Sequence, residues 1–268
     1  MQSVTVEGSR VAYEEAGTGD RCIVFVHGGF GSSSGLWWQT MAALPAGWRG
    51  LAINNFIESD PPPAGYNIPS FARRLAGFIR ALTPGRAVIC GHSMGGVVCQ
   101  EAAISHPEVV AGLVLVGTGP SIRNHGIAME VLRQLEEGGG SRENLEAISR
   151  HWFAEIPDQT LFDEYVDTAT RAPLQGMIDA QLSLVATDQE PRLPRIGAPT
   201  LILHGARDHG RTMEHAHRLR DGIPDTELVV FPESGHAPMW EAAAAFDTAL
   251  ARFLTRLPDS RFQPEVPA

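Results

Sequence analysis

Lysine is absent from this 268-residue sequence, and its 21 basic residues, all arginine, are scattered along it. Acidic residues number 31, so the formal charge is −10. That balance argues against nucleic acid or an anionic membrane surface as partner, because no basic patch offsets the repulsion. Cysteine is scarce too. The three cannot build a disulfide framework, and Cys22 and Cys90 sit inside apolar runs while Cys99 falls in a helical pattern. Buried thiols of a reduced compartment are the expectation. No stretch approaches the about 18 consecutive apolar residues that a membrane span needs. The opening residues, Met1-Gln2-Ser3-Val4-Thr5-Val6-Glu7, lack the basic and apolar regions of a signal peptide. These absences together lead us to expect a cytoplasmic protein. There is no G-x-G-x-x-G and no P-loop lysine, so a Gly-rich phosphate cradle is not expected either.

What remains is an ordinary globular composition, 43% hydrophobic and 19% charged. The length suits one α/β domain with an insertion, or at most two small domains. Alternating apolar and polar residues over 3–7 and 10–15, with Gly8-Ser9 between them, read as a hairpin. Continuous apolar runs at 22–26, 50–54, 86–90, 112–116, 200–203 and 227–231 read as strands buried on both faces. Helical patterns over 36–44, 69–82, 97–105, 214–221 and 242–257 alternate with them. Such alternation predicts a mainly parallel sheet covered on both sides.

One interval breaks that rhythm. Between Gly117 and Pro199 there is no strand signal, only helical stretches near 126–137, 142–153, 159–170 and 176–186. We expect a helical lid over the sheet edge where ligands bind. The corresponding division is a core of 1–118 and 191–257, a lid of 119–190, and a loosely held tail of 258–268. No internal repeat is visible.

Chemistry centres on Gly91-His92-Ser93-Met94-Gly95-Gly96, directly after the apolar run ending at Cys90 and before a helix. This is a G-x-S-x-G sequence in strand–turn–helix context, which presents a serine at the tip of a strained turn. A serine hydroxyl is a poor nucleophile unless a base, an orienting acid and an oxyanion hole accompany it. His236 follows the last strand in Ser234-Gly235-His236-Ala237-Pro238, a loop position suited to the base. Asp208 follows the strand at 200–203 and suits the acid, whereas the segment after the strand at 112–116 offers no carboxylate. The order Ser93, Asp208, His236 fits the architecture. For the oxyanion, one donor is the N–H of Met94. The other should come from Val26-His27-Gly28-Gly29-Phe30-Gly31, with Gly29 preferred and Phe30 second.

Taken together, His27-Gly28-Gly29, the run around Ser93, Gly205-Ala206-Arg207-Asp208 and Gly235-His236 resemble the α/β-hydrolase superfamily, over about residues 3–257. The resemblance implies an eight-stranded, mostly parallel sheet with a helical lid after the sixth strand. It also implies the triad Ser93, Asp208 and His236. We expect no cofactor and no metal. Serine at the elbow separates the chain from the haloalkane dehalogenases and epoxide hydrolases, which place aspartate there. Two subgroups look similar: small carboxylesterases and lactonases, and the meta-cleavage-product hydrolases that cut carbon–carbon bonds in vinylogous diketones. The second likeness rests on Ser93-Met94-Gly95-Gly96, Ser59-Asp60 and Trp240-Glu241. It departs at Ala237, where that family has tryptophan, and its carboxylate-binding lid arginine could be only Arg171 or Arg150. The loop Asn54-Asn55-Phe56-Ile57-Glu58 departs from the Asp-x-x-Gly-x-Gly of many relatives.

The expected activity is hydrolysis of an ester or lactone of a small apolar or aromatic substrate. The alternative is carbon–carbon hydrolysis, and a lyase or ligand receptor on the same fold is the alternative from another class. Phe30, Trp152, Met177 and Trp240 are the expected substrate contacts. His209, His215 and His217 are not expected to hold a metal, since residues two apart do not share a helix face. His27 and His92 should support the loops on which they stand. The oligomeric state is not legible.

Overall fold

A computed structural model describes residues 1–30, 32–122 and 126–263. Gly31 of the expected oxyanion loop, 123–125 of the expected lid and 264–268 of the expected tail lie outside the described residues. The strands are β1 (Gln2–Val6), β2 (Ser9–Gly17), β3 (Arg21–Val26), β4 (Trp48–Ile53), β5 (Ala87–His92), β6 (Val110–Val116), β7 (Thr200–Gly205) and β8 (Thr226–Phe231). They form one eight-stranded sheet in the order β1-β2-β4-β3-β5-β6-β7-β8. β1 and β2 pair antiparallel, β2 meets β4 antiparallel, and every later pairing is parallel. The first hairpin turns at Glu7-Gly8, one residue earlier than the sequence suggested. Both residues have positive φ, 49° and 80°, as the two-residue turn that matches strand twist demands.

Ten α-helices surround the sheet among the described residues: α1 (Trp38–Ala42), α2 (Ile68–Leu82), α3 (Met94–Ser105), α4 (Gly126–Gly138), α5 (Arg142–Arg150), α6 (Gln159–Ala169), α7 (Leu174–Ala186), α8 (Met213–Gly222), α9 (Pro238–Glu241) and α10 (Ala243–Arg256). Period-two alternation sorts the strand side chains between two cores. Val24, Val26, Ile89, Leu113 and Leu115 face α2, α3 and α8. Ile23, Phe25, Cys90, Val114 and Val116 face α1 and α10. The pattern of α2 explains its place. Ile68, Phe71, Leu75, Phe78 and Ile79 recur at helical spacing and are all fully buried. The two phenylalanines alone contribute about 2–3 kcal/mol each relative to exposure. Asn67 caps the helix, its side chain accepting from Ser70 N at 2.9 Å.

Some boundaries differ from expectation. The helix read over 36–44 is a 3-10 turn, Ser34–Trp37, continuing into α1. The one read over 242–257 is preceded by the short α9, with a break at Ala242, where φ is −137°. The tail expected to be loose begins with a 3-10 turn, Asp259–Phe262. Phe262 packs edge-on against Trp48 at 5.4 Å, and Arg21 pairs with Asp259. No described helix is long and apolar enough to cross a membrane.

Candidate active site

The chain leaves β3 toward β4 on one side and reaches β5 on the other, so a crevice opens between the carboxyl ends of β3 and β5. Ser93 stands at that end of β5. Its φ of 53° and ψ of −117° lie outside the regions that suit a residue with a Cβ, so the backbone here is strained. The bend is narrower than the sequence suggested. It is confined to Ser93, and α3 starts at Met94, not at Val97. None of the neighbouring glycines Gly91, Gly95 and Gly96 has a positive φ. They are there for close approach. A Cβ on Gly95 would stand 2.4 Å from the carbonyl oxygens of Val26 and His27. Ser93 N donates to Val116 O at 2.9 Å, and Thr118 Oγ1 donates to Ser93 O at 2.7 Å, which fixes the elbow on β6.

The loop after β7 brings Asp208 to the loop after β8, which carries His236. His236 Nδ1 donates to Asp208 Oδ2 at 2.7 Å, both side chains being buried. The other oxygen, Oδ1, accepts the backbone N–H groups of Gly210 at 2.8 Å and Arg211 at 2.7 Å. Burial alone would raise the Asp208 pKa. The adjoining His236 and His204 and the donated hydrogen bonds outweigh it and hold the carboxyl below its usual range. His204 Nε2 lies 3.9 Å from Oδ2 and donates to Arg211 O at 2.6 Å. The His236 loop is in turn clamped by one carboxylate. Glu241 Oε2 accepts from Ala154 N and Gly235 N, each at 2.9 Å, and Oε1 accepts from Ala237 N at 3.0 Å. His236 N itself donates to Trp152 O at 2.8 Å.

Across the crevice, the loop 27–30 is held by histidine. His27 Nδ1 donates to Gly28 O at 2.8 Å, and its Nε2 accepts from Asn55 N at 2.9 Å. Burial pulls the His27 pKa down to about 4, which keeps the acceptor nitrogen unprotonated. His92 sits under the His236 ring, 4.7 Å between centroids, and donates from Nε2 to His236 O at 2.9 Å. Burial and the neighbouring His236 hold its pKa well below the usual value. Both histidines thus shape loops, as their positions suggested. Phe30 has a positive φ of 56° and lines the crevice beside Ser93. Met94 opens α3, so its N–H has no partner within the helix.

Two small lobes flank Ser93, each with about 20 Å³ of free volume, and both include Gly29, Phe30, Ser93, Trp152 and His236. The expected contacts Phe30 and Trp152 are therefore brought together, their rings stacked 5.9 Å apart. Met177 and Trp240 are not. Met177 is buried in the core among the helices of the insertion. Trp240 is fixed in the opposite core, with its Nε1 donating to Leu36 O at 3.0 Å and its ring against Phe153 and Tyr165. Apolar side chains at helical spacing served packing there. A larger cleft of about 400 Å³ adjoins the lobes, with Ile127, Val131, Trp152 and Gly210 in its wall. Arg150 and Arg171 both point to the surface, paired with Glu146 and Glu58. Sequence reasoning missed Arg211, which is 6% exposed and lines the lobe beside Ser93. Nothing in its local sequence sets it apart from the other arginines. No group of three His, Cys, Asp or Glu that could hold a metal occurs among the described residues.

A family model described as the Alpha/beta hydrolase family matches residues 23–249. A 2-hydroxy-6-oxononadienedioate/2-hydroxy-6-oxononatrienedioate hydrolase of a Pseudomonas species is 30% identical, over 94% of this chain and 93% of its own. An esterase from Exiguobacterium antarcticum superposes with a TM-score of 0.87 at 24% identity, covering 94% of this chain and 98% of that one. The enol-lactonase from Burkholderia xenovorans LB400 gives 0.86 at 22% identity, covering 95% and 100%.

Proposed function

Because the chain belongs to the alpha/beta hydrolase family, we propose that it is a cofactor-free serine hydrolase acting on an ester or lactone of a small apolar or aromatic substrate. The observation that carries the reading is the convergence at one cavity of Ser93, on its strained elbow, with His236, whose far nitrogen is bound to Asp208 at 2.7 Å. In this account His236 Nε2 takes the Ser93 proton as Oγ attacks the carbonyl carbon. The N–H groups of Met94 and Gly29 (or Phe30) receive the oxyanion. Collapse expels the leaving oxygen, which takes the proton from His236 and leaves an acyl-serine. Water, deprotonated by the same histidine, then releases the acid. Asp208 keeps the proton on Nδ1 so that Nε2 is free to accept.

Helices α4–α7 serve as the lid in this reading. Support comes from the backbone bonds of Trp152 and Ala154 to the His236 loop, and from the apolar wall that Ile127 and Val131 supply. A carbon–carbon hydrolase is the second reading, favoured by the 30% identity to the dienedioate hydrolase. Against it stand Ala237 in place of tryptophan and the surface ion pairs of Arg150 and Arg171.

A turnover screen separates these. p-Nitrophenyl esters, five- and six-membered lactones and a vinylogous 1,5-diketone would be compared on the wild type and on Ser93→Ala. Ester or lactone turnover that vanishes in the variant is expected. Cleavage of the diketone alone would replace the first reading with the second.

A further inference from the structure

The two lobes at Ser93 are chemically unlike. One is walled by Leu36, Phe153, Tyr165 and Ala237 and is apolar. The other contains Arg211 and Gln181. Arg211 is buried, yet among the described residues its guanidinium, with five N–H donors, makes a single hydrogen bond, from Nη1 to the neighbouring Gly210 O at 3.1 Å. Its Nε is buried with no partner among those residues. The anion that acts on it is Asp208, but that carboxylate is already occupied, by His236 on Oδ2 and by the Gly210 and Arg211 backbone N–H groups on Oδ1. Burial draws its pKa down to about 10, so it keeps its charge at neutral pH. A buried, charged fork with open donors is costly unless something fills it. What it matches is a second carboxylate.

We propose that Arg211 is a specificity-determining residue that binds a substrate carboxylate, so that the preferred substrate carries a carboxylate on one side of the scissile bond and an apolar group on the other. The inference rests on the serine-hydrolase reading and names the substrate class of that site. Its arginine stands on the loop after β7, three residues beyond Asp208, and not on the α4–α7 insertion where Arg150 and Arg171 lie. Selectivity then comes from the loop that also carries the acid.

The test pairs substrates. Phenyl hydrogen glutarate carries the carboxylate on the acyl side, and the benzoate ester of 3-hydroxypropanoate carries it on the alcohol side. Each is compared with its neutral methyl ester. For the wild type, kcat/KM should favour one free acid by about 10- to 100-fold, the scale of a charge-assisted recognition contact. Arg211→Gln should erase that preference, lowering kcat/KM for the free acid by that factor relative to its neutral partner while fluorophosphonate still labels Ser93. Arg211→Lys should keep part of the preference. Equal turnover of both members of each pair by the wild type would overturn the inference, as would a proportionate loss of all substrates in Arg211→Gln with Ser93 still labelled. If Arg211→Gln does not fold, the wild-type pairs and Arg211→Lys decide the matter. Failure of the underlying reading looks different: no ester is cleaved and Ser93 is not labelled. Calorimetric titration with glutarate then judges Arg211 by itself. Saturable heat that Arg211→Gln lacks supports the contact, and absence of heat overturns it.

Discussion

Residue by residue, the buried polar groups of the site are defined by what each is prevented from doing. Asp208 spends three hydrogen-bond acceptances on fixed donors, so the imidazole of His236 has one available tautomer. Replacing Asp208 with Asn keeps an oxygen for the backbone donors but presents N–H to His236, which reverses the tautomer. The expected result is a fall in kcat of about 10⁴-fold with the fold retained, read by steady-state hydrolysis of an aryl ester and by circular dichroism. A loss under about tenfold would remove Asp208 from the role proposed for it. Ser93 and its elbow were legible in the sequence because strand, turn and helix signals coincide within a few residues. Arg211 was not. Its importance lies in its burial, in its lack of side-chain partners among the described residues and in the lobe it shares with Ile127, Val131 and Gln181, and no local pattern encodes that.

Elements set the geometry that those residues use. The inner strands could be read almost end to end, since burial on both faces leaves an unbroken apolar run; the run at 227–231, expected to be buried likewise, is the edge strand β8, half-buried and with Val230 exposed, because no strand covers its outer side. The start of α3 could not, because glycines signal a turn in sequence while here Gly95 lies in the first turn of the helix and admits the carbonyls of Val26 and His27. The link between the insertion and the core was also hidden. Glu241 gathers the N–H groups of Ala154, Gly235 and Ala237, residues that no periodicity places together. Glu241→Gln puts an amide nitrogen against backbone donors. A destabilisation of about 2 kcal/mol is expected, since a charged acceptor is lost. Thermal denaturation together with a drop in kcat at little-changed KM would show that the clamp positions His236; unchanged kcat would show that it only stabilises. Trp152 stands between the lobes at Ser93 and the 400 Å³ cleft. Trp152→Ala should join the two spaces and raise kcat/KM for long-chain over short-chain esters by about tenfold. A chain-length profile identical to that of the wild type would contradict this division of space.

For the molecule as a whole, the buried histidines tie stability to pH. The pKa of His27 falls to about 4 on folding, and those of His92 and His204 fall as well, each chiefly through burial. Below about 6.5 the unfolded chain takes up protons that the folded one refuses, so stability declines as pH drops toward 4, at about 1.4 kcal/mol per pH unit for His27, with His92 and His204 adding loss in the same direction. Asp208, with its depressed pKa, adds loss in the same direction at lower pH. Its contribution is present above its unfolded value and disappears as pH falls through its folded one. Urea unfolding at pH 7 and pH 5 should therefore give a clearly lower stability at pH 5, and His27→Gln should reduce that difference. Equal stabilities would mean that the histidines are not held neutral. The whole-chain claim, though, is that the fold exists to activate one serine. The direct measurement is mass spectrometry of the folded protein after treatment with a fluorophosphonate. The account predicts one adduct per chain, on the peptide containing Ser93, absent in Ser93→Ala. An unmodified chain, or an adduct on another residue, would contradict it.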